Sequence, residues 1–414
     1  MAYISRPQYE KQIERYRNSS VIKVITGMRR CGKSSLISAY ANRLASEVGK
    51  DNVIYLRLDQ LGLPINPTAE WLQQLVHTAL EQSHQSQNFY VLLDEIQEVS
   101  SWEKVVRRLH TEERVDVYLT GSNAHVLSSD LATLLGGRYV TINVHPLSFD
   151  EYVLFAKTTN SEGETRDDLF ASFIRYGGMP AQFEMDRRTP ERMIEMLTTV
   201  YETIILNDVA THTHISDFDL LAKLVRYTFS TSGNLFSSRN IVNALASSGR
   251  RTSVETIDNY IRALKDAYIM RECRQFGLAG KQMLRPQRKF YPADTGLRNL
   301  MSDFTPDDFG AQLECVVFNE LIRRGYRVEV GALKRGEIDY VAHRAEERMY
   351  IQVCDEFSGQ ETYKRELAPF EGLEDSFPCY VLTLDRYQTG VTKRGVRIVN
   401  MIDWLLDTRD ERPK

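Results

Sequence analysis

Residues 21–35 read V-I-K-V-I-T-G-M-R-R-C-G-K-S-S, an apolar, β-branched run that stops at a glycine and then enters a helical pattern. A short run of this kind, closed by Gly27, predicts a buried parallel strand. Gly27 to Ser34 fits the spacing G-x-x-x-x-G-K-[ST]. Gly27 and Gly32 let the backbone turn its N–H groups inward around a phosphate chain. Arg29, Arg30 and Cys31 fill the loop between them, and Lys33 supplies the cation for the β- and γ-phosphates. Ser34 offers a hydroxyl to Mg²⁺, with Ser35 beside it, and a helix beginning at Lys33 turns its positive end to the anion. The expected ligands are ATP and Mg²⁺.

Four further strands are expected outward from this stretch, at 52–58, 89–93, 115–120 and 138–144. Helical patterns lie at 7–17, 33–47, 68–84, 102–111 and 124–135. This alternation predicts an α/β fold with a doubly wound parallel sheet. Residues 89–95 read F-Y-V-L-L-D-E, which places Asp94 to hold Mg²⁺ and Glu95 to orient and deprotonate the attacking water. The next strand ends T-G-S-N. Ser122 and Asn123 are placed there to sense the γ-phosphate, or equally to form a turn and a helix cap. In L-L-G-G-R-Y, Arg138 precedes the last strand. In ring-forming ATPases an arginine there reaches a neighbour's γ-phosphate; the plain alternative is a surface arginine.

With 414 residues, two to three domains are expected, and 42% hydrophobic and 26% charged residues are ordinary for a globular chain. The net charge of -4 restricts any nucleic-acid surface to a local patch. No run of 18 apolar residues occurs, the N-terminus is too charged for a signal peptide, and the five cysteines lack metal-ligand spacing. These features predict a reducing cytoplasm and no membrane partner. A polar break at 157–167 is followed by helical periodicity to about 268 and mixed character after about 305. Residues 237–268 have the spacing of a helix-turn-helix, with wing strands expected at 269–276 and 287–291. Across 237–290, eleven Lys or Arg against four Asp or Glu give 11 − 4 = +7. Arg250, Arg251, Lys281, Arg285 and Arg288 are the expected phosphate contacts, and subunit contacts are the plain alternative.

The set IKVITGMRRCGKSSL, VLLDEIQ, YLTGSN, GGR, PLSFDEY (146–152), YGGMPA (176–181), YETIILNDV (201–209) and KFYPADTGLR (289–298) resembles a prokaryotic family of AAA+-like ATPases whose C-terminal half carries a domain of unknown function. The resemblance implies a core sheet ordered 5-1-4-3-2, a helical lid, a winged helix and a C-terminal domain similar to PD-(D/E)XK nucleases. The corresponding boundaries are 1–157, 158–215, 216–300 and 301–414. Asp339 in G-E-I-D-Y-V matches the first acid of such nucleases, and Glu314 is a third-ligand candidate. Gln352 replaces the second acid and Cys354 the lysine, with Lys364 or Arg365 as substitutes for the lost charge, so nuclease activity is expected to be absent. The resulting expectation is an ATP-hydrolysing homo-oligomer, with a hexameric ring among its candidate forms, acting as a motor on double-stranded or branched DNA. The alternative is an ATP-dependent signalling or defence switch whose DNA-type modules serve protein contacts.

Overall fold

The computed structural model describes residues 3–84, 87–121, 135–159, 163–210, 215, 217–277, 288–302, 304, 308–333, 336–357, 359–373 and 375–407. The chain divides into two compact units, one of residues 1–145 with 266–268, the other of 146–265 with 269–414.

In the first unit five strands form one parallel sheet: β1 (Ile22–Thr26), β2 (Val53–Arg57), β3 (Phe89–Asp94), β4 (Val115–Thr120) and β5 (Tyr139–Asn143). Their order is β2-β3-β4-β1-β5, the expected order read from the other edge. Both faces are covered, and successive residues alternate between two apolar clusters. Val24, Val91, Leu93, Val117 and Leu119 belong to one cluster with the helices Ala69–Gln82 and Trp102–Leu109. Ile25, Tyr90, Leu92 and Tyr118 belong to the other with Pro7–Arg15 and Lys33–Val48. Two buried faces explain why these strands read as unbroken apolar runs. The helix expected at 124–135 lies outside the described residues.

A buried ion pair interrupts the sheet. Lys23 in β1 is fully buried and ion-paired with Asp116 in β4. Asp116 also accepts from the Asn18 amide at 2.8 Å and the Tyr118 hydroxyl at 2.9 Å. Burial lowers the Lys23 pKa despite the attraction of Asp116. Half of such a pair is costly to strand in low dielectric.

The second unit is built on nine strands: β6 (Leu235–Phe236), β7 (Met270–Gln275), β8 (Arg288–Pro292), β9 (Arg327–Leu333), β10 (Gly336–Arg344), β11 (Glu347–Cys354), β12 (Cys379–Thr383), β13 (Gly390–Val391) and β14 (Arg397–Asn400). They form one mixed sheet, β13-β14-β12-β11-β10-β9-β7-β8-β6. The antiparallel pair β7–β8 joins the C-terminal strands through parallel pairing of Arg274 with Glu329 and Gln275 with Val330. Strands on either side of residue 300 therefore share one sheet.

Two of the quoted motifs meet inside this unit. Asp294 is buried and accepts from the amides of Gly178 at 2.7 Å and Leu297 at 3.2 Å. A Cβ on Gly177 would lie 2.0 Å from its carboxylate, and one on Gly178 would lie 2.4 Å from the Leu147 carbonyl oxygen. The glycine pair is thus required by close approach. Burial raises the Asp294 pKa to about 6, although its backbone hydrogen bonds oppose that.

Two outcomes are expected. Lys23→Met should lower the unfolding free energy in urea by about 3–5 kcal/mol, and adding Asp116→Asn should recover part of it. Asp294 keeps its proton to a higher pH when folded than when unfolded, so ionisation there removes stability as pH rises from about 4 to about 6. The loss is up to about 3 kcal/mol. The difference between wild-type and Asp294→Asn urea midpoints across that window should trace this slope.

Candidate nucleotide-binding site

The loop after β1 has the backbone its glycines were expected to permit. Gly27 has φ 136° and Gly32 φ 99°, and a Cβ on Gly27 would stand 2.0 Å from the Val144 carbonyl oxygen. Arg30 is also left-handed, at φ 63°, and exposed, while Cys31 is buried with its Sγ 3.2 Å from the Val144 carbonyl. Lys33 is buried, and its Nζ donates to the carbonyls of Gly27 at 2.9 Å and Met28 at 3.0 Å, so the ammonium lies across the loop. Ser34 is half-buried and Ser35 exposed, one residue further along the helix.

Asp94, at the end of β3, is fully buried and collects three hydroxyls. Thr120 Oγ1 donates to Oδ1 at 2.5 Å, Ser34 Oγ to Oδ1 at 3.2 Å and Tyr55 OH to Oδ2 at 3.3 Å. Burial raises its pKa, Glu95 adds to the rise, and the hydroxyls oppose it. A desolvated carboxylate among hydroxyl oxygens suits a hard divalent cation. Ser34 and Asp94 would hold Mg²⁺, which when bound neutralises phosphate charge. No cluster of three His, Cys, Asp or Glu able to hold a metal occurs among the described residues, so the remaining ligands would be phosphate and water.

Glu95 follows with a left-handed backbone, φ 56°. Its amide donates to Thr120 Oγ1 at 2.9 Å, and its Oε2 accepts from Gln97 Nε2 at 2.5 Å. Thr120 therefore ties both acids to the end of β4. Sequence reasoning passed over Thr120 in favour of Ser122 and Asn123, which lie outside the described residues. It also missed Arg6. That side chain is buried, and it donates to the Cys31 carbonyl at 2.8 Å and the His145 carbonyl at 2.9 Å. Tyr9 lies under its guanidinium and accepts from the His145 amide at 3.1 Å. Arg6 thus clamps the phosphate loop to the chain leaving β5, and no local pattern marks an arginine for that task.

Arg138 is exposed, and its carbonyl accepts from the Ile22 amide at 3.0 Å. It therefore sits where β1 begins, the length of a five-residue strand, roughly 16 Å, from the loop where β1 ends.

In the second unit, two of the five expected phosphate contacts are engaged by carboxylates. Arg250 binds Asp217 at 2.6 Å and also pairs with Asp219; Arg288 binds Asp258 at 2.6 Å. Arg251 is exposed, and Lys281 and Arg285 lie outside the described residues. Glu314 is half-buried and Asp339 buried, and desolvation raises the pKa of both. Asp339 accepts from the Val353 amide at 2.8 Å, and its own amide donates to Gln352 Oε1 at 3.3 Å. Gln352 Nε2 in turn donates to Glu366 at 3.0 Å. Cys354 is buried with its thiol pushed up to about 12, chiefly by burial. Lys364 and Arg365 are exposed and paired with Glu361 and Glu366.

The sheet order, the glycine loop and the acidic pair at the end of β3 define an AAA+-type P-loop ATPase fold. Residues 19–153 match the model of the AAA domain, and residues 167–308 match a domain of unknown function (DUF8612). The chain belongs to the same family as an uncharacterised protein of Haemophilus influenzae, with 34% identity over 98% of this chain and 99% of that one. The uncharacterised protein MJ1544 of Methanocaldococcus jannaschii is 32% identical over 84% of this chain and 78% of its own. A Walker-type ATPase of Pyrococcus abyssi shares the fold with TM-score 0.51 and 16% identity, over 72% of this chain and 96% of that one.

Loss of the clamp should loosen the loop without touching the phosphate ligands. Arg6→Met is expected to weaken binding of a fluorescent ATP analogue about tenfold, from the loss of charged hydrogen bonds to two carbonyls. An unchanged Kd would show that the loop keeps its shape without Arg6.

Proposed function

We propose that the protein is an ATP-hydrolysing, oligomeric motor acting on double-stranded or branched DNA. The observation that carries the ATPase part is the convergence on Asp94 of Ser34 from the loop and Thr120 from β4, with the Glu95 amide on the same threonine. Lys33 neutralises the β- and γ-phosphates, and Ser34 with Asp94 holds Mg²⁺. Glu95 accepts a proton from the water that attacks the γ-phosphorus. Its left-handed backbone, tied to Thr120, is the kind of strain that functional sites hold in place.

Arg138 lies too far along β1 to serve the loop of its own chain, so the reading assigns it to the γ-phosphate of a neighbouring subunit. ATP would then be hydrolysed between copies of the chain, which makes the working unit a homo-oligomer.

The DNA part rests on exposed arginines in the helices Ser238–Ser247 and Val254–Asp266 and in the turn between them. Among the described residues, Arg239, Arg251 and Arg262 are exposed and have no ion-pair partner, so the reading keeps Arg251 as a phosphate contact and puts Arg239 and Arg262 in place of Arg250 and Arg288. The engagement of Arg250 and Arg288 also favours the second reading, a switch whose helices contact protein.

Steady-state turnover separates the two. A motor should be stimulated several-fold by duplex or branched DNA, with stimulation fading as salt rises, whereas a switch should turn over slowly and ignore DNA. Glu95→Gln should keep ATP binding while turnover falls about 10²–10⁴-fold. Arg138→Ala should also lose turnover, regained in part when it is mixed with Glu95→Gln subunits. Full activity of Arg138→Ala alone would refute the shared site.

A further inference from the structure

Arg298, in the helix Thr295–Ser302, is wholly buried, and among the described residues none of Nε, Nη1 and Nη2 has a hydrogen-bond partner. The one carboxylate within ion-pair range among the described residues is Asp308, whose Oδ1 lies 3.8 Å from Nη2, beyond hydrogen-bond reach. Asp308 precedes the helix Phe309–Arg323, and no side-chain hydrogen bond caps that helix. One turn in stands Gln312, also fully buried, with its Nε2 unpartnered. Its Oε1 accepts from Asn299 Nδ2 at 3.3 Å, sharing a hydrogen of that amide with a backbone carbonyl. Asn299 is oriented in turn by bonds from Nδ2 to the carbonyls of Ile174 and Arg175, each at 2.9 Å, leaving its Oδ1 unpartnered.

Asp308, Gln312 and Cys315 fall on one face of the helix by their i, i+4, i+7 spacing. Burial pushes the Cys315 thiol up to about 12, and the Arg298 charge partly offsets this. The interior of this unit thus holds a permanent cation, which cannot escape by losing a proton, near Asp308 at the positive end of a 15-residue helix that carries the Gln312 amide one turn further in. Four side-chain donors stand against a single unpartnered acceptor, Asn299 Oδ1. Such a set requires negative charge to offset its desolvation, and Asp308, partly exposed and out of bonding range, does not supply it in full.

We propose that Arg298, Gln312 and the first turn of the helix Phe309–Arg323 bind a small monovalent anion of the halide class inside the second unit. A halide accepts from several donors at once and needs no donor in return, which matches this donor-rich set. The site is independent of the ATPase reading, since its residues and Gly27–Ser34 belong to different units. The anion would brace the segment that carries Asp294, four residues before Arg298 on the same chain.

The test uses the full chain, melted in mixtures of sodium chloride and sodium gluconate at constant ionic strength; phosphate is avoided because the loop at Gly27–Ser34 is built for it. The wild type should show a saturable upward shift of the melting temperature by roughly 2–4 °C as chloride replaces gluconate. Arg298→Met should lose the shift. Gln312→Leu, which keeps the charge and serves if Arg298→Met does not fold, should need several-fold more chloride to reach it. Bromide soaked into crystals should give an anomalous peak at the Arg298 guanidinium. Equal melting in chloride and gluconate would mean that water satisfies these donors and would overturn the proposal. A chloride shift that survives unchanged in both variants would overturn it as well.

Discussion

Everything in the candidate site depends on one buried carboxylate. Asp94 ends β3, between β2 and β4, and its side chain is where the phosphate-loop helix, β2 and β4 touch through the hydroxyls of Ser34, Tyr55 and Thr120. A charge held there without a cation is costly, which is why its proton affinity rises. The same desolvation makes the position receptive to a divalent cation. The parallel sheet serves this arrangement by bringing the C-terminal ends of β1, β3 and β4 to one edge, where open α/β sheets bind ligands.

A second constraint governs the other unit. There the chain closes on a glycine pair and an aspartate more than a hundred residues apart, with Gly177 and Gly178 admitting the Asp294 carboxylate at distances no side chain would allow. The nine-stranded sheet joins strands from either side of residue 300, because β7 pairs with β9. Charge is managed locally. Arg250 and Arg288 are consumed by aspartates, Lys289 by Glu337, and Arg323 and Arg324 by Glu320, which these arginines hold down at a pKa of about 2 against its burial.

Much of the first unit was legible because its signals are local. A strand buried on both faces must be apolar throughout, so VIKVIT and FYVLL announced themselves, and the sheet order followed from the family resemblance. The glycine loop was legible because its backbone requirements act within eight residues. Lys23 was the exception inside a readable strand: its partner Asp116 lies 93 residues on, and period and propensity carry no trace of that pairing. The +7 balance across 237–290 identified a basic segment but could not say which cations are spent on carboxylates, because pairing is decided by side chains brought together from other helices.

The sequence by itself determined the backbone of the glycine loop, the strands that flank it and the position of the acidic pair at 94–95, since each is written in consecutive residues whose physical demands are short-range. Only the tertiary structure decided that Thr120 joins the two acids, that Arg6 clamps the loop through the Cys31 and His145 carbonyls, and that Arg298 lies in the interior with no hydrogen-bond partner among the described residues. These are meetings between residues distant along the chain, or the failure of such a meeting. They follow from packing and desolvation in three dimensions, which no window of sequence encodes.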